Sequence, residues 1–177
     1  ITSTGLDHQE TLGDSLGEIA EQKAGIFKAG KQAVIAKLTP EAELVCQKRA
    51  RELAVELYQA GQDFTLNAGN FSSSLANFSQ LEIGLEGAYQ QENAALALET
   101  FLLFMASGGG RVEEEFVRRA LKETHWAGRL ERIRPQIYLD GAHNLPALTR
   151  LVEFIQGKIQ QGYQAHVLFG ALKRKDY

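Results

Sequence analysis

The sequence has little of several residue types that usually point to a particular class of protein. Its 177 residues include one cysteine (Cys46), one tryptophan and three prolines. A single cysteine excludes an intrachain disulfide, which fits a reducing compartment, and we expect a cytoplasmic protein. No apolar run reaches the roughly 20 residues that a membrane-spanning helix needs, and no signal peptide is recognisable. A role in the membrane is therefore not expected.

Neither sign of charge dominates the sequence. The formal net charge is −3, and lysine and arginine form no cluster that would suit a nucleic-acid backbone. With 44% hydrophobic and 23% charged residues, the composition is typical of a globular protein rather than a disordered one. We therefore expect small-molecule partners and no nucleic acid.

Three well-known chemical motifs are also missing. The sequence has no G-x-x-x-x-G-K-[ST] phosphate loop, no paired cysteines and no G-x-S-x-G nucleophile elbow. Residue spacing alone therefore yields no complete catalytic set.

The apolar patterns predict an α/β protein. Helices are predicted over 40–60, 92–106, 112–124 and 144–160, and strands over 33–36, 63–66, 81–85, 130–133, 136–140 and 165–170. The polar stretch 67–80 indicates a hairpin or a loop. The last strand–helix–strand run predicts a βαβ unit, the start of a parallel sheet. We place a domain boundary at residue 126, which separates 1–125 from 126–177.

Lys23 is predicted on the buried face of a further short helix. With Asp14 as the N-cap, Leu16, Ile19, Ala20 and Lys23 follow at helical spacing on one stripe. Loss of water favours the neutral amine, which can act as a nucleophile or take up CO2 as a carbamate. The alternative is a lysine that reaches solvent at the helix C-terminus.

Just upstream, Asp7 and His8 follow a strand-like segment over 1–6. An aspartate, a histidine and an unusual lysine near a strand end suggest a metal or phosphate site.

A second candidate site lies at the carboxyl end of the predicted strand 136–140, where ligands bind in parallel α/β sheets. There, Asp140 could accept hydrogen bonds from a ribose, and the helix N-terminus after His143 suits an anion. Arg129 could clamp a phosphate, and Asn93 could bond a nucleobase. Each residue also has a structural alternative. Asp140 could cap the helix or stabilise the turn at the strand end, and His143 could have a purely structural role. Arg129 could be a solvated charge, and Asn93 could bond a neighbouring loop.

Taken together, five blocks resemble the folylpolyglutamate and dihydrofolate synthases, relatives of the Mur ligases. They occur in the family's order along nearly the whole chain. The blocks are ITSTGLDH (1–8) with LG (12–13) and EQKAGI (21–26), NAA (93–95), GRLE (128–131), LDGAHN (139–144) and FGAL (169–172).

The resemblance implies the C-terminal part of a P-loop-type ATPase domain, followed by the first βαβ unit of a Rossmann-like domain. It also implies a ligase that uses ATP and Mg²⁺ to join L-glutamate to tetrahydrofolate or dihydropteroate through an acyl phosphate. In that scheme His8 ligates magnesium and Lys23 is carbamylated beside it. Asn93 holds the adenine, Arg129 the phosphates and Asp140 the ribose.

The resemblance also places His143 near the incoming glutamate and the reacting phosphoryl group. One departure is that Leu145 precedes Pro146, whereas the family usually has proline directly after Ala-His-Asn; this could shift the first helical turn. The phosphate loop and an acidic metal ligand would lie upstream of Ile1, so we expect an inactive fragment of a monomeric enzyme.

Two alternative functions are retained. One is a Mur-type amino-acid ligase of peptidoglycan synthesis, and the other is a noncatalytic nucleotide-binding module.

Overall fold

The chain folds into a mixed α/β structure, as predicted. The computed structural model describes residues 1–3 and 15–170. The elements in chain order are α1 (Leu16–Ala24), β1 (Gln32–Ile35), α2 (Pro40–Glu52), β2 (Glu56–Gln59), β3 (Phe64–Asn67), β4 (Asn70–Ser73), β5 (Asn77–Phe78), α3 (Gln90–Ser107), α4 (Glu114–Glu123), β6 (Glu131–Arg134), β7 (Ile137–Leu139) and α5 (Leu145–Gln160). None of the described helices combines the length and the apolar character that a bilayer crossing requires.

A small parallel sheet lies near the start of the chain. β1 pairs with β2 along one edge. Along the other edge, the backbone N–H of Ile1 donates to the carbonyl of Val34, and the N–H of Ala36 donates to the carbonyl of Ile1. Ile1 thus lies beside β1, whereas residues 4–6 of the strand-like segment predicted over 1–6 lie outside the described residues. α1 packs against α2, and the buried residues around them are Ala24, Phe27, Ile35, Cys46 and Ala50.

The larger core lies between α3 and the antiparallel sheet β3–β4–β5. Phe64 and Leu66 are buried on the same face of β3, as the two-residue period of a strand requires. The rings of Phe71 and Phe78 stack on neighbouring strands with centroids 6.0 Å apart. The hairpin predicted for 67–80 is confirmed.

The helix predicted over 40–60 is too long, because α2 ends at Glu52. Ala54 adopts a left-handed backbone with φ 50°, which stops the helix. The chain then turns into β2, whose backbone bonds to β1 outweigh the helical spacing of Leu53 and Leu57.

The strand predicted over 81–85 does not form. The N–H of Leu81 donates to the carbonyl of Gly69, and the N–H of Gly84 donates to the carbonyl of Leu121. Because these bonds go to two different segments, no ladder develops.

The last part of the described chain is a hairpin followed by a helix. β6 and β7 pair in antiparallel fashion, and α5 packs on β7 where the rings of Tyr138 and Phe154 meet edge to face at 5.1 Å. The predicted βαβ unit is not formed, because 163–170 is exposed and contains no strand. A strand needs a hydrogen-bonded neighbour, and β7 pairs only with β6 among the described strands.

Candidate nucleotide site

Asp140 joins the two sequence blocks that were predicted to bind a nucleotide. Its Oδ2 accepts a hydrogen bond from the N–H of Leu130, and its Oδ1 accepts one from the N–H of Ala142, both at 2.8 Å. A third bond of 2.8 Å runs from the N–H of Gly141 to the carbonyl of Gly128. Asp140 therefore stabilises this turn, which is the structural role that the sequence offered as the alternative to ribose binding. Each carboxylate oxygen keeps a lone pair for a further donor, such as a ribose hydroxyl.

Arg129 lies on the exposed side of this turn. A Cβ added to Gly141 would lie 3.3 Å from the carbonyl oxygen of Gly128 and 3.5 Å from Nη1 of Arg129. The glycine thus allows the guanidinium to approach the start of the Asp140 turn. Within the described part of the chain, the Arg129 side chain forms no ion pair, so its charge is available to a phosphate.

A cleft of about 350 Å³ borders the same turn. Its lining includes Arg129, Arg132, His125 and Trp126. Trp126 is 66% exposed. Glu86 and Glu131 line it as well, so the cleft carries both signs of charge.

His143 is exposed beside the turn. Its Nδ1 lies 2.8 Å from the carbonyl oxygen of Gly141. A carbonyl can only accept, so Nδ1 is the donor, and Nε2 is left as the acceptor of a neutral ring.

Leu145 does not disturb the start of α5. Asn144 is the N-cap, and its Oδ1 accepts a 2.9 Å hydrogen bond from the N–H of Ala147. Leu145 is the first helical residue and Pro146 the second, where proline is tolerated because the N–H it lacks has no helical partner. The extra residue before the proline is therefore absorbed within the first turn.

Asn93 lies in the first turn of α3 and is exposed. Its Nδ2 donates to Oε1 of Gln90 at 2.8 Å, a contact within the helix rather than with the neighbouring loop considered as the alternative. The residue also lines a mostly apolar cleft of about 570 Å³ with Leu96, Phe101 and Phe104. Asn93 is thus accessible, but it lines a different cleft from Arg129.

Sequence reasoning missed Tyr89, which connects these two places. Tyr89 is the N-cap of α3, and its carbonyl accepts from the N–H of Asn93 at 3.2 Å. Burial raises the pKa of the Tyr89 phenol, the nearby Asp140 carboxylate raises it further, and the Arg129 guanidinium opposes both effects. The sequence carries no local signal for this contact, because it depends on the route of the chain between β5 and α3.

A salt bridge also links the two helices of this region. The Arg150 guanidinium of α5 lies 3.8 Å from the Glu92 carboxylate of α3. The structure thus brings Arg129, Asp140 and His143 into one turn, and one exposed salt bridge joins α5 to the first turn of α3.

Lys23 is less buried than predicted. It lies half-buried in the last turn of α1, and its Nζ donates to the carbonyl of Ser3 at 2.6 Å. Ile19 and Ala20 on the same stripe are fully buried. The long side chain of Lys23 extends beyond this core to a backbone oxygen, as the alternative interpretation expected.

The cap of α1 is Ser15 rather than Asp14. Its hydroxyl accepts from the N–H of Glu18, and the Glu18 carboxylate accepts from the N–H of Ser15. This reciprocal pair is a capping box, and it moves the helix start one residue along.

The predicted metal ligand His8 and its neighbour Asp7 lie outside the described residues. Among the residues that are described, no three His, Cys, Asp or Glu side chains come together as a metal site would require.

Comparison with known proteins identifies the family. No family model matches the chain. The folylpolyglutamate synthase of Lacticaseibacillus casei is 30% identical over 188 residues, and the dihydrofolate synthase/folylpolyglutamate synthase of Bacillus subtilis (strain 168) is 32% identical over 193 residues. Both alignments cover 100% of this chain and 44% of the relative. The chain belongs to the folylpolyglutamate synthase family.

Solved folylpolyglutamate synthases share the fold. An FPGS–AMPPCP–folate complex superimposes with a TM-score of 0.84 at 29% identity, covering 88% of this chain and 41% of that one. The Mycobacterium tuberculosis folylpolyglutamate synthase complexed with ADP and AMPPCP gives a TM-score of 0.73 at 25% identity, covering 86% and 37%. The chain thus spans less than half the length of the folylpolyglutamate synthases it matches.

Proposed function

We propose that this chain forms part of an ATP-dependent ligase that adds L-glutamate to a folate or to dihydropteroate. The observation that carries the proposal is the Asp140-centred turn, which brings Arg129 and Asp140 together. The similarity to an FPGS–AMPPCP–folate complex supports a nucleotide and a folate as ligands. A carboxylate with spare lone pairs and an unpaired guanidinium are the groups that a ribose and a phosphate chain require.

The proposed reaction has two steps. A carboxylate oxygen of the folate attacks the γ-phosphorus of ATP, which forms an acyl phosphate and releases ADP. The amine of glutamate then attacks the acyl carbon, phosphate leaves, and the amine loses a proton. Arg129 would offset the negative charge that builds up on the phosphoryl oxygens.

The other assignments follow the same proposal. Asp140 would orient the nucleotide through the ribose, Asn93 would bond the adenine, and His143 would offer Nε2 toward the glutamate side. Lys23 would act as a carbamate, which is an anionic oxygen ligand. The described residues do not make up a Mg²⁺ site, and His8 stays the predicted ligand.

We also propose that the complete enzyme is a cytoplasmic monomer acting on small molecules. The single cysteine fits a reducing compartment, and the sequence offers no basic surface for a nucleic acid.

The full-length protein that contains this chain tests the function. ADP and phosphate should form only when ATP, Mg²⁺, L-glutamate and a folate or dihydropteroate are all present. Turnover with a UDP-linked precursor in place of the folate would assign a Mur-type ligase instead. Nucleotide binding without turnover on either substrate would assign a noncatalytic module.

Arg129→Ala gives the sharpest variant for this test. We expect turnover to fall about 10²-fold or more, because a charge-stabilising donor is lost. Thermal unfolding should stay close to wild type, since the Arg129 side chain is exposed. Arg134→Ala, which removes an exposed arginine at the end of β6, is the matched control. Equal turnover in the two variants would refute the role of Arg129.

A further inference from the structure

Tyr89 lies where the start of α3 meets the Asp140 turn. Gly87 adopts φ +102°, and a Cβ added there would lie 2.7 Å from Cε1 of Tyr89 and 3.0 Å from Cδ1 of Leu130. Leu130 is 2% exposed, and its N–H is the donor to Asp140. The Tyr89 ring and the buried Leu130 side chain therefore both lie close to the backbone of Gly87. A chain of contacts leads from α3 through Gly87 to Asp140.

The electrostatics place the phenol near the same charged groups. The pKa of Tyr89 is raised by burial and by Asp140, whereas Arg129, a side-chain hydrogen bond from Gln90, and Arg150 act in the opposite direction. The phenol therefore stays neutral at physiological pH, and it introduces no charge between Asp140 and Arg129.

We propose that Tyr89 is a positioning residue that sets the Arg129–Asp140 turn against the first turn of α3. Its backbone is bonded to Asn93, and its ring is packed beside the glycine that borders Leu130. Tyr89 thus fixes the spacing between the group proposed for adenine and the groups proposed for ribose and phosphate. The inference rests on the proposed nucleotide site. It adds that the two halves of this site are coupled through one aromatic ring.

The first test compares Tyr89→Ala with Tyr89→Phe in the full-length enzyme. Tyr89→Ala should raise the KM for ATP about tenfold or more, because misplacing groups by about 1 Å weakens the binding of a ligand that spans them. The KM values for glutamate and folate should change little. Tyr89→Phe keeps the ring and should restore most of the lost ATP affinity. An equal rise in all three KM values, or an unchanged KM for ATP in folded Tyr89→Ala, would overturn the proposal.

A double-mutant cycle measures the coupling between Tyr89 and Asn93 in ATP binding, which a merely structural role of Tyr89 would not produce. If Tyr89 couples Asn93 to Asp140, then Asn93→Ala should weaken ATP binding clearly in the wild type and far less in the Tyr89→Ala background. Fully additive effects would contradict the coupling. Tyr163→Ala, an exposed tyrosine beyond α5, serves as the control background, and the full Asn93→Ala effect should persist in it.

Gly87→Ala is the second route to the same result. It displaces the Tyr89 ring without removing it and also presses on Leu130, so the KM for ATP should rise at least as much as in Tyr89→Ala. If both variants fail to fold, Tyr89 is a structural residue and the proposal falls. Direct calorimetry of ATP binding separates this inference from the proposed function. If the enzyme has no ligase activity but Tyr89→Ala still weakens ATP binding, the proposed function is refuted and the positioning role of Tyr89 stands.

Discussion

Glu99 is the least expected side chain of the large core. It lies in the middle of α3 with 0% of its surface exposed, and neither carboxylate oxygen has a hydrogen-bond partner among the described residues. Burial raises the pKa of this carboxyl, and the Asp63 carboxylate raises it further. The nearby Ser73 hydroxyl acts in the opposite direction, although it forms no hydrogen bond to either oxygen. Burial is the largest cause of the raised pKa of Tyr58, on β2, and the Glu99 carboxylate adds to it. Burial therefore favours the protonated form of Glu99 in the folded chain, compared with an exposed carboxyl.

A pH-dependent stability follows from this burial. Between the ordinary glutamate value of 4.5 and the raised folded pKa, the native state keeps a proton that the unfolded chain releases. The free energy of unfolding should therefore fall as the pH rises through this window, by up to about 1.4 kcal/mol per pH unit. Urea unfolding at a series of pH values measures the slope.

Glu99→Gln should remove most of that slope, and Glu99→Leu should raise stability near neutral pH by about 1–3 kcal/mol because no polar group is left unpaired. Glu115→Gln changes an exposed carboxylate of α4 and should leave the slope in place. A wild-type slope in Glu99→Gln would show that another group carries the effect.

The proposed carbamate role of Lys23 can be tested with substitutions that differ in charge. Lys23→Ala in the full-length enzyme should abolish turnover, and short carboxylic acids should restore part of it by replacing the carbamate oxygens. Lys23→Arg should stay inactive, because a guanidinium remains cationic. Steady-state assays with Lys28→Arg as the control decide the matter. Full activity in Lys23→Arg would reduce Lys23 to the half-buried donor that bonds Ser3.

At the scale of elements, Gly84 lies against the backbone at the end of α4. A Cβ at this position would lie 2.2 Å from the carbonyl oxygen of Lys122 and 2.7 Å from that of Thr124. Gly84→Ala should push the segment before α3 away from the end of α4. We expect a loss of about 1–3 kcal/mol in denaturant unfolding of the 177-residue chain.

Gly157→Ala is the counterpart in α5, where an added Cβ would meet no atom within 4 Å. It should stabilise the chain by about 0.5–1 kcal/mol, since alanine suits a helix interior better than glycine. Identical shifts in the two variants would mean that the close approach at Gly84 has no energetic weight.

The elements that the sequence predicted well are those whose signals are local. The core of α3, the hairpin within 67–80 and the start of α5 after Asn144 depend on apolar spacing, turn residues and a cap. The end of α2 was predicted wrongly because Leu53 and Leu57 fit a helix, whereas pairing with β1 decides the outcome. Residues 165–170 have strand-like composition, but composition cannot supply the neighbour that a strand requires.

The candidate site was predictable to a similar extent. Asp140 and Arg129 come from blocks that carry a recognisable pattern, and the structure places them in one turn. The contact of Tyr89 with this turn depends on the route of the chain from β5 to α3, which no local pattern reveals. The 126 boundary stays a prediction, and so do the roles of all the site residues: His8, Lys23, Asn93, Arg129, Asp140 and His143.

At the scale of the whole molecule, the chain spans 44% of its relatives and has no phosphate-loop motif. We therefore expect it to bind ATP with a Kd weaker than micromolar, because micromolar affinity needs about 8 kcal/mol and the amides that would cradle the phosphates are missing. Titration calorimetry of the 177-residue chain beside the full-length enzyme measures the difference. Micromolar binding by the chain alone would contradict this prediction.

The position of Trp126 has a practical consequence. It is the sequence's one tryptophan, it is largely exposed, and it lines the cleft that also holds Arg129. All indole fluorescence of this chain therefore originates at the edge of the candidate site. Without a ligand, we expect the red-shifted emission of a solvated ring. A ligand that covers the cleft would shield the indole from water and shift its emission to shorter wavelengths. The chain thus contains a built-in optical probe, positioned by its own sequence three residues from Arg129.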